Sequence, residues 1–114
     1  MTLKAAILNV RPGESVQFEQ ALAQARSIIS GMPGYISHEP HRCIEINNKY
    51  LLLTRWRRLE DHTEGFRKSA EYPEWKRLLH DFYDPFPIVE FHRSITILPR
   101  LRLRSRAALC YNPT

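Results

Sequence analysis

The residues of this chain most suited to chemistry are one asparagine and one histidine, each in otherwise apolar surroundings. Asn9 lies next to the end of the first predicted strand and shares the parity of Ala5 and Ile7, so its carboxamide should point into an apolar space. An amide there could orient a phenol or a bound oxygen species by hydrogen bonding. The alternative is a polar strand end that caps nearby backbone, because a buried amide needs partners in either case.

His62 is the second candidate, because it falls within the apolar stripe of a predicted helix, beside Phe66. An ordinary histidine pKa of about 6.5 leaves the imidazole neutral at pH 7, so His62 could accept a proton from a phenolic substrate. The alternative is a histidine at the edge of the core, bonded to backbone or solvent. Asn9 and His62 are therefore the predicted catalytic residues, and both alternatives stay open.

Four aromatic residues and a second histidine could form walls around a flat aromatic ligand. On a helical wheel the stripe of the last predicted helix contains Trp75 and Phe82, whereas His80 lies off it. Aromatic side chains at such spacings also fill an ordinary core, so packing competes with ligand binding as the interpretation. The predicted substrate-binding residues are Trp56, Phe66, Trp75, His80 and Phe82.

The first third of the chain has a strand period followed by a helix period. Thr2 to Val10 alternates as a strand, and Pro12-Gly13 predicts a turn after it. The helix that follows has Ser15 as its predicted cap and ends near Gly31.

Two further strands are predicted in the middle of the chain. The second strand starts at Tyr35, and Pro40 predicts a bulge or bend before the strand continues through residues 43–46. Asn47-Asn48 predicts a hairpin turn into the third strand, which runs from Tyr50 to Trp56. After Trp56 the apolar period changes to 3.6 residues, Pro73 separates two helices, and residues 88–97 form a last strand.

This order of elements predicts an α+β protein with a ferredoxin-like split βαβ fold, in which helices cover one face of a four-stranded antiparallel sheet. The other face of the sheet is left bare, yet the first strand is apolar on both sides. An exposed apolar sheet favours association, so we expect a homodimer formed through the sheet faces.

The 114 residues fit one domain, which we assign to residues 1–98, followed by a basic tail at 99–114 that we expect to be partly disordered. The net charge is +5, and the tail holds four arginines and no acid, so the predicted domain is nearly neutral. Without a stacking surface or a recognition helix, this charge carries no sequence readout, and we expect no specific nucleic-acid partner.

The remaining composition predicts a cytoplasmic protein without a membrane segment. No apolar run approaches the roughly 20 residues of a membrane span, and the amino end has no small-residue cleavage site. Cys43 and Cys110 fit neither a disulfide framework nor a metal site, so unpaired thiols are expected. No phosphate-binding loop or metal-ligand spacing is present in the sequence, and we predict neither a metal nor a cofactor.

Several motifs together resemble the antibiotic biosynthesis monooxygenase family over about residues 3–95. The resemblance rests on the pattern Leu8-Asn9-Val10-x-Pro12-Gly13 before Phe18-Glu19, on Met32-Pro33-Gly34-Tyr35, and on residues 50–56 followed by His62, Phe66, Ser69 and Trp75.

The resemblance implies small ferredoxin-like dimers, whose sheets form a joint α+β barrel and whose protomers each keep a pocket between sheet and helices. Some members oxidise aromatic polyketides with O2 and without metal or flavin. The resemblance therefore implies a cofactor-independent monooxygenase that acts on a small aromatic or quinol-type substrate.

Two other functions stay open on the same scaffold. One is a noncatalytic dimer that binds a small ligand or serves in a stress response, since a fold does not fix a function. The other, less favoured, is haem degradation, because the haem-degrading branch has an Asn, a Trp and a His in its pocket. Asn9 matches the first, Phe66 lies near the position of the second, and His80 is displaced by about one residue from the third.

Overall fold

The computed structural model describes residues 1–97, so the predicted tail, Cys110 and the domain boundary at residue 98 lie outside the described residues. The helices and strands occur in the predicted order. They are β1 (Thr2–Asn9), α1 (Ser15–Ser30), β2 (Tyr35–Arg42), β3 (Lys49–Trp56), a π-helical turn (Asp61–Phe66), α2 (Tyr72–Leu79), a 3-10 turn (His80–Phe82) and β4 (Ile88–Arg93).

The four strands form one antiparallel sheet in the order β2-β3-β1-β4, which confirms the α+β ferredoxin-like fold. β1 lies in the middle and pairs with both β3 and β4, so that Ala6 stands opposite Leu52 on one side and Val89 on the other. The even-numbered residues of β1 face the helices, and Ala6 and Leu8 are buried there.

The core lies between this face of the sheet and α1. The helix buries one stripe, formed by Phe18, Leu22, Ala25 and Ile29, at the i, i+4, i+7 spacing of an amphipathic helix. From β3 the same layer receives Tyr50, Leu52, Thr54 and Trp56, which share one parity along the strand.

Three predicted boundaries are wrong. α1 begins at Ser15 itself, preceded by Glu14, and no side chain caps the helix. β2 runs through Pro40 and ends at Arg42, while its register shift lies between Tyr35 and Ser37. Because β2 is an edge strand, a proline without an N–H is tolerated there, and no bend is needed. The last strand ends at Arg93, four residues before the predicted end.

The helix predicted directly after Trp56 is instead a single π-helical turn, with the N–H of Arg67 donating to the carbonyl of His62 at 3.0 Å. This turn is enough to bury His62 and Phe66 together, whereas Leu59, which precedes the turn, is 40% exposed. Isolated π turns of this kind often occur at functional sites.

The end of the 3-10 turn is joined to the end of β1. Val10 and Tyr83 form an isolated β-bridge, and the N–H of Asp84 donates to the carbonyl of Asn9 at 2.8 Å. The N–H of Arg11 donates to the carbonyl of Phe82, also at 2.8 Å. These backbone contacts hold the helical segment after β3 against the sheet.

Candidate functional site

A cavity of about 280 Å³ lies between the sheet and the helical turns that follow β3. Its floor comes from the centre of the sheet and from β4, and its walls come from the π turn, α2 and the 3-10 turn. The lining residues are Lys4, Ala6, Leu8, Leu52, His62, Arg67, Tyr72, Trp75, His80, Tyr83, Pro87, Val89 and Phe91.

The strand register determines which side chains form the floor of the cavity. Lys4 is paired with Phe91 and Ala6 with Val89, so each pair presents two side chains to the helix-covered face. The small Ala6 leaves space at the centre of the floor, while Lys4 brings a cation to one end. The floor is therefore apolar with a single charged group among its residues.

His62 is the most buried polar group of the cavity, with 3% of its surface exposed. Its ring lies 5.6 Å from that of Trp56 and 5.4 Å from that of Phe91, and its Nδ1 has no hydrogen-bond partner within residues 1–97. Burial, followed by the charges of Lys4 and Arg67, lowers the pKa of His62 to about 3. The imidazole is neutral at pH 7, as predicted, but it is a weak base.

Lys4 is half-buried, and burial followed by the charge of Arg67 lowers its pKa to about 8. No carboxylate pairs with Lys4 among the described residues. At neutral pH the group is mostly an ammonium, with a fraction in the amine form. Lys4 can therefore act as a cation and, through its amine fraction, as a base near neutral pH.

His80 and Tyr83 form the wall furthest along the chain, with their rings 5.8 Å apart. Burial, followed by the charge of Lys76, lowers the pKa of His80. Burial raises the pKa of Tyr83 further above its usual value. The Tyr83 hydroxyl thus stays protonated and can donate a hydrogen bond.

Three of the predicted site residues line the cavity together: His62, Trp75 and His80. Trp56 and Phe66 are fully buried behind the wall, stacked on each other with ring centroids 5.9 Å apart. Phe82 packs edge-on against Phe18 of α1 instead of lining the cavity. The prediction of these last three as direct substrate contacts therefore does not agree with the structure, and packing is their observed role.

Asn9 lies on the other face of the sheet, so the structure does not bring Asn9 and His62 into one cavity. The parity predicted for Asn9 is correct, since it follows Ile7, which lines a shallow apolar depression on the bare face together with Leu51. The backbone carbonyl of Asn9 accepts the hydrogen bond from Asp84 described above. Asn9 is thus a strand end whose backbone is tied to the segment after the 3-10 turn, and it does not line the cavity.

Sequence reasoning missed Lys4, Arg67, Tyr72 and Tyr83, all of which line the cavity. Lys4 carried a usable signal, because it is the one charged residue in the run Lys4, Ala6, Leu8 and Val10 of a single strand parity. Arg67 carried none, since its place at the cavity follows from the π turn. Among residues 1–97 no cluster of His, Cys, Asp or Glu could hold a metal ion, and no helix could cross a membrane.

Comparison with known proteins places the chain in one family. Residues 1–78 match the model of the antibiotic biosynthesis monooxygenase family. A curated relative, the uncharacterized protein YczJ of Bacillus subtilis (strain 168), is 55% identical over 95 residues, which cover 83% of this chain and 100% of YczJ.

Solved structures agree. A candidate antibiotic biosynthesis monooxygenase from Bordetella bronchiseptica superimposes with a TM-score of 0.80 at 29% identity, over 83% of this chain and 97% of that one. SnoaB, a cofactor-independent oxygenase from Streptomyces nogalater, gives a TM-score of 0.74 at 15% identity, over 87% and 97% of the two chains. At that low identity the likeness to SnoaB is one of fold.

Proposed function

The chain belongs to the antibiotic biosynthesis monooxygenase family, and we propose that it is a cofactor-independent monooxygenase acting on a small aromatic or quinol-type molecule. The observation that carries the proposal is the cavity, in which Trp75 and Phe91 provide flat apolar surface around Lys4 and His62. Concave sites that combine apolar walls with convergent polar groups are the usual places for small-molecule binding.

The proposed reaction needs no electron donor besides the substrate. A hydroquinone reduces O2, one oxygen atom enters the ring to give a hydroxyquinone, and the other oxygen atom leaves as water. An anthrone reacts in the same way, with its methylene group becoming a carbonyl. The protein's part is to hold the substrate, to remove one proton so that the electron-rich anion forms, and to stabilise that anion.

Two residues of the cavity suit these tasks. His62 is neutral and lines the cavity, so its imidazole can hydrogen-bond a substrate hydroxyl and orient the ring. Lys4 can stabilise the anion as an ammonium, and its amine fraction can accept the proton, because its pKa of about 8 lies near neutrality. We assign orientation of the substrate to His62 as its main role.

Oxygen uptake with a panel of hydroquinones and anthrones tests the proposal. We expect uptake by the wild type above the uncatalysed rate, and a loss of about tenfold or more in His62→Ala and Lys4→Met, the usual size for a general acid-base group or an oxyanion contact. Lys68→Met is the matched control, because Lys68 is exposed and does not line the cavity. No turnover above the His62→Ala rate with any member of the panel would contradict the enzyme proposal.

A noncatalytic ligand-binding protein is the second candidate, and the low pKa of His62 favours it, because such a weak base adds little to proton removal. Calorimetric titration with the same panel separates the two functions. Binding without oxygen uptake would select the noncatalytic function. Haem degradation receives less support, because Asn9, the match to that branch, faces away from His80 and the cavity.

We also propose that the protein forms a homodimer through the bare face of the sheet. That face carries Ile7, Leu51 and Leu53 on its central strands, and 37% of Leu51 is exposed in the single protomer. Light scattering at micromolar concentration should give the mass of two chains. Ile7→Glu should give one, while Val16→Glu, a control on the outer surface of α1, should leave the dimer intact. A monomer mass for the wild type would contradict this assembly.

A cytoplasmic location stays part of the proposal. It rests on the small number of cysteines and on Cys43, which is a free thiol within the described residues. Fractionation of cells that express the full chain would test it.

A further inference from the structure

The cavity has an unbalanced charge. Lys4 and Arg67 both line it, and none of its lining residues within 1–97 is acidic. The two cations are close enough that the charge of Arg67 contributes to the lowered pKa of Lys4, and both contribute to the lowered pKa of His62. The polar atoms that face the cavity thus share a positive environment.

Two other cations of the same segment are paired with carboxylates. Arg58 pairs with Asp61, and Lys68, the neighbour of Arg67, pairs with Glu64 at 2.7 Å. Within residues 1–97, by contrast, neither Lys4 nor Arg67 pairs with a carboxylate. Both cations that line the cavity therefore lack a carboxylate counter-charge within the described residues.

Arg67, Lys4 and His62 also lie at different depths in the cavity. Arg67 is exposed, Lys4 is half-buried, and His62 is almost fully buried. An anion that approaches from solvent would meet the guanidinium at the rim first and the ammonium deeper inside. Because water is partly excluded at the deeper position, an ionic contact is stronger there than at the surface.

We propose that Lys4 and Arg67 form an anion-recognition pair, and that the ligand of this cavity is a flat aromatic molecule bearing an ionised oxygen group. The inference rests on the proposed function in that it concerns the same cavity. It narrows the substrate class from aromatic or quinol-type molecules in general to those that carry a carboxylate or bind as a phenolate.

The half-buried, unpaired ammonium of Lys4 favours an anionic ligand over a neutral one. A half-buried ammonium without a partner destabilises the folded protein, and a ligand that neutralises it removes that penalty on binding. The aromatic surfaces of Trp75 and Phe91 border the same space, so the ring and the anionic group of one molecule can be satisfied together. A neutral ring of the same size would leave Lys4 unpaired.

Calorimetric titration with a matched pair of probes tests the inference. 2-Naphthoate and 2-naphthamide have the same ring system and nearly the same shape, and they differ by one charge. We expect 2-naphthoate to bind the wild-type protein at pH 7 about tenfold more tightly or better, and the preference to fall as salt is added. Equal affinity for the two probes would overturn the proposal.

4-Nitrophenol distinguishes a phenolate from a carboxylate, because its absorbance reports ionisation directly. If the pair recognises phenolates, bound 4-nitrophenol should ionise at a lower pH than the free compound. Ionisation unchanged on binding, combined with a clear preference for 2-naphthoate, would assign the pair to carboxylates, which keeps the proposal in its carboxylate form.

Three variants test which side chains cause the preference for 2-naphthoate. Lys4→Met keeps the length of the side chain without its charge, and it should abolish the preference for 2-naphthoate. Arg67→Gln, at an exposed position that does not endanger folding, should reduce the preference about threefold, and Lys68→Gln, one residue away but outside the cavity, should leave it unchanged. A preference that survives in both cavity variants would overturn the assignment.

The binding result is independent of turnover. A charge preference without oxygen uptake would reject the monooxygenase while supporting the anion site. Uptake with neutral substrates and no charge preference would reject the anion site alone.

Discussion

The helix-covered face of the sheet has two halves that differ in packing: one is filled by side chains and the other contains a cavity. Beneath α1, Phe18 and Ala25 are completely buried, and side chains fill the layer. Beneath the π turn and α2, the layer leaves a cavity of about 280 Å³, with a lysine on its floor. The same strands supply both halves, so the difference comes from the segments that cover them.

The contrast indicates that the packed layer that stabilises the fold is separate from the cavity that we propose binds a ligand. A packed half contributes to stability through burial, whereas an open half with an unpaired cation reduces it. Proteins commonly accept such a local cost at functional sites. Substitutions in the two halves should accordingly change stability in opposite directions.

The largest effect is expected from Phe18→Ala in the packed half. Removing a fully buried aromatic ring should lower the free energy of unfolding by ~3–5 kcal/mol, because a cavity replaces its contacts with Tyr50 and Tyr83. Urea unfolding measures the change. Phe86→Ala is the matched control, since Phe86 is 79% exposed and should change stability little. A loss below ~1 kcal/mol would mean that this half is not tightly packed.

In the open half, His62 should make stability depend on pH. Its pKa is about 3 in the folded protein and ordinarily 6.5, so between these values the unfolded chain binds a proton that the folded protein does not. Stability should therefore fall as the pH drops from about 6.5 towards 3, by ~1.4 kcal/mol per pH unit from this group.

Urea unfolding of the wild type and of His62→Gln across that range measures this dependence. The variant should show a shallower decline, because glutamine does not titrate. Parallel curves for the two proteins would show that His62 is not held neutral by the fold.

Lys4→Met should stabilise the protein while abolishing ligand discrimination. Removing a half-buried cation should raise the free energy of unfolding by ~1–3 kcal/mol at pH 7. The sign follows from the lowered pKa: the folded protein loses the Lys4 proton near pH 8 and the unfolded chain near 10.5, so the wild type gains stability between these values.

The advantage of Lys4→Met should therefore shrink from pH 8 to 10.5. Thermal unfolding of both proteins over that range, with Lys68→Met as the control, measures it. An unchanged or lower stability of Lys4→Met at pH 7 would contradict the contrast between the two halves.

The smallest effect concerns a polar contact in the packed half. The buried Tyr50 donates its hydroxyl hydrogen bond to the carboxylate of Glu19 on α1. Tyr50→Phe should cost about 1 kcal/mol, the usual net value of one hydrogen bond. A double-mutant cycle with Glu19→Gln isolates the pairwise part, and a coupling near zero would show that packing alone holds this corner of α1.

Strand parity was predictable from the sequence, but the face that the helices cover was not. The alternation placed Asn9 with Ala5 and Ile7, and the structure agrees. Because β1 is apolar on both sides, alternation could not tell which side faces the helices. The choice depends on the whole topology, and it put Lys4, instead of Asn9, in the cavity.

The positions of helical residues were predictable only where an α-helix is present. The wheel placed His80 off the buried stripe, on the assumption that the helix of Trp75 continues. The structure changes to a 3-10 turn at His80, which alters the direction of each following side chain and brings His80 to the cavity wall. A similar departure, the π turn, brings Arg67 there, and neither change of period has a signal in the residue pattern.

The backbone hydrogen bonds between the end of β1 and the 3-10 turn affect the order in which the parts of the domain fold. The Arg11 guanidinium adds a side-chain bond to these backbone hydrogen bonds, since it donates to the carbonyl of Asp81, seventy residues away along the chain. Loop closure over that distance is slow relative to the local pairing of β2 with β3. During synthesis on a ribosome, the contacts of β1 that complete the cavity cannot form until the last third of the chain has been made. The β2-β3 hairpin should therefore acquire protection against hydrogen exchange earlier than β1, the strand that carries Lys4.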